Sequence, residues 1–109
     1  AAYVAAGADG IMIHSRRKEP DEVFAFADAF RKEYAHVPLV AVPTSYSAVT
    51  EAELAAHGVN IVIYANQLTR SAFPAMERTA MSILKHHRSL EADADLMPFK
   101  DIIRLIDDV

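Results

Sequence analysis

Three short apolar runs punctuate the chain, at 10–14 (GIMIH), 38–44 (PLVAVPT) and 60–66 (NIVIYAN). Each is nearly continuous in apolar residues rather than alternating. That is the pattern of strands covered on both faces, as in parallel sheets. Helix-period segments lie between and after them. Over 20–34, Val23, Phe26, Ala27 and Phe30 recur at helical spacing, and Pro20 suits a first helical position. Thr50 followed by Glu53 is a capping-box pattern, and the helix it opens is expected to stop at His57 and Gly58. A long helix is expected over 71–87, with Phe73, Met76, Ala80, Ile83 and Leu84 as its apolar stripe. Pro74 near its start either sits in the first turn or kinks it. A tail helix over 99–107 would place Ile102, Ile103 and Ile106 on one side.

The opening AAYVAAGADG reads as the last turns of a helix stopped at Gly7, with no charged segment before an apolar core. A chain that starts inside a helix is expected to be cut from something longer. The order is therefore a helix end, three strand–helix units and a tail helix. Alternating βα units with right-handed crossovers make a parallel α/β sheet. Three units cannot close a (β/α)₈ barrel, which takes roughly 250 residues, and they leave apolar sheet edges open. The pattern fits either the C-terminal portion of such a barrel or a small three-layer fragment that needs a partner.

Composition narrows the function classes. Of 109 residues, 52% are hydrophobic and 24% charged, so the chain is expected to fold. A net charge of −4 offers no footprint for nucleic acid, and no apolar run approaches the ~18 residues of a membrane span. With no cysteine there is neither a disulfide nor a thiolate metal site, which suits a cytoplasmic setting.

In parallel α/β folds chemistry collects at the carboxyl ends of the strands. Here those ends read His14-Ser15, Thr44-Ser45 and Asn66-Gln67. Strand ends must turn polar as they leave a core, so any one of these residues is unremarkable. Three together, one a histidine able to donate to an anionic oxygen, point to a site. Arg16, Arg17 and Lys18 follow directly and read first as a solvated loop. The other candidates are weaker. His86 and His87 cap the long helix, where cations suit the dipole but adjacent residues do not converge on a metal. His36 and His57 fall in turns and read as surface. Glu91, Asp93 and Asp95 alternate but lack the glycine and terminal glutamate of a calcium loop. Arg70, at the start of a helix, is badly placed for the dipole and reads as a partner for an acid on this chain or a neighbour.

The segments GADGIMIHSRRKEPDEV, PLVAVPTSY, GVNIVIYANQLTRSAFPAM and SLEADADLMPFKDII, in this order and spacing, resemble the C-terminal part of the phosphoenolpyruvate mutase family, within the isocitrate lyase / phosphoenolpyruvate mutase superfamily. The resemblance covers essentially the whole chain. It implies a modified TIM (β/α)₈ barrel of which residues 1–109 are a partial domain: about three βα units plus a tail helix. It implies Mg²⁺ as cofactor, phosphoenolpyruvate and phosphonopyruvate as small-molecule substrates, and formation of a carbon–phosphorus bond in phosphonate biosynthesis. His14 matches a histidine that helps hold the transferred group. Ser15, Thr44 and Asn66 are carried as substrate-side residues. The helix over 71–87 matches one that exchanges between subunits, which implies a homo-oligomer. The family's acidic metal cluster, gating loop and fifth-strand arginine would lie upstream of residue 1, so no metal ligand is expected here and the piece alone should be inactive. Phosphonopyruvate hydrolase and the superfamily's carbon–carbon lyases are alternatives. A non-catalytic truncated interaction module is the alternative of another class.

Overall fold

The computed structural model describes residues 1–105, which divide into two compact units, Ala1–Asn66 and the remainder from Gln67. The first unit runs α1 (Ala2–Ala5), β1 (Ile11–Ile13), α2 (Asp21–Glu33), β2 (Leu39–Ala41), α3 (Glu51–Ala56) and β3 (Ile61–Val62). The three strands form one parallel sheet in chain order, with Ile11 opposite Leu39 and Val40 opposite Ile61. Strand placement, order and direction follow the apolar runs. The strands are shorter than the runs for a local reason. Pro43 has no N–H to give, and the Thr44 N–H turns back onto the Val42 carbonyl at 2.8 Å, so β2 stops at Ala41. The third ladder persists one bond further, from the Ile63 N–H to the Ala41 carbonyl.

The expectation of strands covered on both faces holds for one face only. Val23, Ala27 and Phe30 of α2, spaced along one helical stripe, bury against Leu39 and Ala41 together with Tyr46, Leu54 and Val59. The opposite face carries the row Met12, Val40 and Ile61, then Ile63. There Met12 is 63% exposed and Ile61 48%. β1 is an edge strand.

Local signals set the helix ends. Pro20 caps α2 one position outside the expected first turn, and Tyr34 closes it. The capping box at α3 is complete. The Thr50 hydroxyl accepts from the Glu53 N–H at 3.2 Å, and the Glu53 carboxylate accepts from the Thr50 N–H at 2.8 Å. Gly7 and Gly58 both take the left-handed backbone that stops their helices.

Arg31, which the sequence pattern did not single out, ties the amino-terminal side of the sheet together. Its guanidinium donates to the carbonyls of Gly58 (2.8 Å), Tyr34 (3.0 Å) and Val37 (2.7 Å) and to Asn60 Oδ1. Asn60 Oδ1 also accepts the Leu39 N–H at 2.9 Å, so one side chain joins α2 to the starts of β2 and β3. His57 is less of a bystander than its turn position implies. Its ring stacks on Phe24 at 3.9 Å and its Nδ1 lies 2.8 Å from Asp28.

In the second unit, α4 (Gln67–His86) starts a turn earlier than expected, is followed by a 3-10 helix (Leu90–Asp95), and then by α5 (Phe99–Ile102). Pro74 lies inside α4, beyond the first turn, and gives no N–H to the Arg70 carbonyl. Of the tail helix expected over 99–107, the stretch Phe99–Ile102 forms; Ile106 lies outside the described residues. Glu91, Asp93 and Asp95 belong to the 3-10 helix rather than a metal loop, and Arg88 Nη2 reaches Glu91 at 2.5 Å. That cation, with His86 nearby at 4.0 Å, holds the Glu91 carboxyl below its ordinary value. No residue of α4 is buried: Phe73 is 63% exposed and Leu84 68%.

Candidate functional site

Because the strands are parallel, His14, Thr44 and Asn66 all follow the same ends of adjacent strands, at one edge of the sheet. This is the edge at which α/β proteins place their chemistry. The strand pleat sorts the residues there. His14 continues the exposed face of Met12. Ser15 continues the helix-facing side of Ile11 and Ile13 and is only 4% exposed. Neighbours in sequence thus serve opposite faces.

The loops behind this edge are pinned by carboxylates at the helix starts. Ser15 Oγ donates to Glu22 Oε2 at 2.6 Å and accepts the Arg17 N–H at 3.1 Å. Arg17 Nε lies 3.8 Å from the same oxygen of Glu22. At the end of β3, the Tyr64 hydroxyl donates to Glu51 Oε1 at 2.9 Å, and that carboxylate raises the phenol above its ordinary value of 10. Tyr46, two residues beyond Thr44, is fully buried. Burial pushes its phenol up, with the Val42 backbone working the other way. Tyr46 was legible in the sequence only as part of the segment PLVAVPTSY, and Glu22 and Glu51 only as ordinary first-turn acids.

Thr44 is half-buried, directly after the turn at Pro43. Asn66 is half-buried as well. Arg16 and Lys18 are exposed in the loop that follows His14. His36 is exposed, as expected of a turn residue. Arg70 is exposed and pairs with no acid among the described residues.

The donor set at the edge does not fit a Mg²⁺ ion. Among the described residues there is no group of three or more His, Cys, Asp or Glu able to hold a metal. The first-turn carboxylates Glu22 of α2 and Glu51 of α3 are engaged, by Ser15 and Tyr64. What the edge offers is an exposed imidazole directly after β1, next to a basic loop, with a hydroxyl and a carboxamide in the segments after β2 and β3. Such a set can donate hydrogen bonds to an anionic group. No helix among the described residues is long and apolar enough to cross a membrane.

Comparison with known proteins identifies the family. A model of the phosphoenolpyruvate phosphomutase family matches residues 1–84. The chain is 46% identical over 105 residues to a phosphonopyruvate hydrolase of Variovorax sp. (strain Pal2), covering 95% of this chain and 35% of that protein. It is 36% identical over 105 residues to a phosphoenolpyruvate phosphomutase of Tetrahymena pyriformis, covering 95% of this chain and 34% of that one. Among solved structures, a phosphoenolpyruvate phosphomutase from Streptomyces platensis subsp. rosaceus superposes with a TM-score of 0.84 at 35% identity, over 95% of this chain and 35% of that one. A phosphonopyruvate hydrolase solved with oxalate and Mg²⁺ superposes at 0.79 with 46% identity, over 95% and 36% of the two chains. The chain spans about a third of the length of the relatives it matches. The three parallel βα units correspond to a portion of those TIM barrels, and the chain belongs to the phosphoenolpyruvate phosphomutase family.

Proposed function

We propose that this chain supplies the phosphonyl-binding edge of an enzyme that acts on the carbon–phosphorus bond of phosphonopyruvate, with residues 1–109 as the C-terminal part of its barrel. The observation that carries the reading is His14, exposed at the carboxyl end of β1 on the uncovered face, with Thr44 and Asn66 in the segments that follow the same ends of the neighbouring strands. An imidazole there donates to a phosphonyl or phosphoryl oxygen as charge shifts between carbon and oxygen. Thr44 and Asn66 take the remaining substrate oxygens. Mg²⁺, with ligands from outside this chain, would neutralise the developing charge. The isolated chain is therefore expected to be inert.

Two reactions share this chemistry. The first is the isomerisation of phosphoenolpyruvate and phosphonopyruvate, supported by the superposition on a phosphomutase at a TM-score of 0.84. The second is hydrolysis of phosphonopyruvate, favoured by the 46% identity to the Variovorax hydrolase against 36% to the Tetrahymena phosphomutase. In either case the acting species is a soluble homo-oligomer joined through α4, in the cytoplasm.

The test is to complete the full 109-residue chain with the remaining two thirds of each relative, hydrolase or phosphomutase. Each hybrid is then given phosphonopyruvate and Mg²⁺ and followed by phosphorus NMR. Turnover to inorganic phosphate in the hydrolase hybrid alone supports hydrolysis. Turnover to phosphoenolpyruvate in the phosphomutase hybrid alone supports isomerisation. In an active hybrid, His14→Ala is expected to cost about 10²–10³ in kcat, the range for one preorganised donor. Folded hybrids that turn over nothing would support a non-catalytic interaction module instead.

A further inference from the structure

Ser15 stands next to His14 at the end of β1, yet its surroundings give it different work. A serine hydroxyl has one proton to donate. Here that proton goes to Glu22 Oε2 at 2.6 Å, and the oxygen's free side takes the Arg17 N–H at 3.1 Å. Nothing is left to donate to an anionic substrate oxygen. The neighbouring Glu22 carboxylate would repel such an oxygen. Ser15 is therefore poorly made for the substrate-side role that its sequence position suggests.

The same contacts make it a good anchor. An O–H···O⁻ bond of this length is charge-assisted and stronger than a neutral one. Glu22 stands on the first turn of α2, and α2 is locked in the core by Val23 and Ala27, both 0% exposed. Before His14, the backbone is held by the ladder that pairs Ile13 with Ala41. After it, the backbone is held by Ser15, which also gathers the Arg17 N–H, while Arg17 Nε approaches Glu22 at 3.8 Å. His14 is thus suspended between two fixed points.

We propose that Ser15 and Glu22 are positioning residues: Glu22, through Ser15, fixes the backbone that aims His14 at the phosphonyl group. The proposal rests on the reading that His14 holds that group. A misplacement of about 1 Å at such a group costs on the order of 10² in rate.

The test uses the active hybrid carrying the full 109-residue chain, with kcat and KM for phosphonopyruvate and a thermal melt for each variant. Ser15→Ala should lower kcat about 10–100-fold with KM held within about twofold, and Ser15→Thr, which keeps the hydroxyl, should recover most of it. Glu22→Gln should lower kcat in the same direction but less, because the amide still accepts. The deciding measurement is the double variant. In a His14→Ala background, Ser15→Ala should add less than about a twofold loss, because the group it aims is gone. Losses that multiply would overturn the proposal, as would a Ser15→Ala effect confined to KM or an unchanged kcat. If Ser15→Ala does not fold, Glu22→Gln with and without His14→Ala decides by the same criterion. A His14→Ala variant with full turnover would instead overturn the reading of the site, whatever Ser15 does.

Discussion

Helices α2 and α4 are both amphipathic, yet one is the centre of a core and the other has no buried residue. In α2, Val23 and Ala27 are 0% exposed and Phe30 6%. In α4, an apolar stripe of the same spacing leaves Phe73, Met76 and Leu84 each more than 60% exposed. A groove of about 530 Å³ beside Met76, Ala80 and Ile83, closed by Leu96 and Met97, is lined largely by apolar side chains. The difference teaches that periodicity specifies a helix and the side it wants covered, but not where the cover comes from. α2 finds β2 within its own βα unit, whereas the stripe of α4 meets only the 3-10 helix and the segment after it and stays largely exposed. The sheet repeats the lesson across its two faces, one packed under α2 and α3 and one bare along Met12, Ile61 and Ile63.

The largest expected effect exploits that contrast directly. Leu39→Ala and Leu54→Ala, each at a fully buried site, should destabilise the first unit by about 2–5 kcal/mol in urea unfolding. Phe73→Ala in the isolated chain should change stability by less than about 0.5 kcal/mol, since the ring is already in water. An equal cost at Phe73 would mean that α4 finds its cover in this chain. In an active oligomeric hybrid the same substitution should weaken subunit association in sedimentation, which the isolated chain cannot report.

A second contrast lies between cations. Arg31 satisfies three carbonyls, at Tyr34 and Val37 between α2 and β2 and at Gly58 after α3, whereas Arg70 has no acid among the described residues. Removing Arg31 leaves part-buried acceptors unpaired, so Arg31→Ala should cost about 2–4 kcal/mol. Arg70→Ala should leave the isolated chain unchanged in the same urea titration. Gly58→Ala tests the clamp from its other side. Gly58 sits at φ +86, and a Cβ there would stand 2.7 Å from Arg31 Cγ. Backbone strain plus a displaced guanidinium should give about 1–2 kcal/mol in the same assay.

How far the sequence could be read follows from the range of each interaction. The strands, their order and the edge shared by His14, Thr44 and Asn66 were legible, because apolar runs ending in polar residues are local signals and βα alternation fixes direction. The capping box and both glycine stops were legible for the same reason. The Arg31 clamp was not, because it joins residues 27 and 29 positions apart and its acceptors are mostly backbone carbonyls, which carry no sequence signature. The engagement of Ser15 by Glu22 was not legible either, because the sequence does not show that the pleat turns this serine toward α2. The bare sheet face was not legible, since a continuous apolar run states what a strand needs and not whether this chain provides it.

The smallest expected effect sharpens the comparison where both stability and sequence signal are purely local. Thr50→Ala removes the hydroxyl that accepts the Glu53 N–H and should cost about 1 kcal/mol, the usual value of an N-cap. The reciprocal half of the box has a pH signature. Hydrogen bonds from the Thr50 backbone and side chain favour the charged form of Glu53 and hold its carboxyl below the ordinary value of 4.5. A carboxyl depressed in the folded state binds fewer protons there than in the unfolded chain. Its contribution is therefore complete above the ordinary value and is lost as the pH falls through the depressed one. Glu53→Gln should remove that acid-side slope while leaving stability at neutral pH less affected than Thr50→Ala does, because the glutamine amide oxygen can still accept from the Thr50 N–H. Urea midpoints of the three proteins between about pH 3 and pH 7 make the comparison. A slope that survives Glu53→Gln unchanged would assign the acid sensitivity to another carboxylate, with Glu91, held down by Arg88, the next to replace.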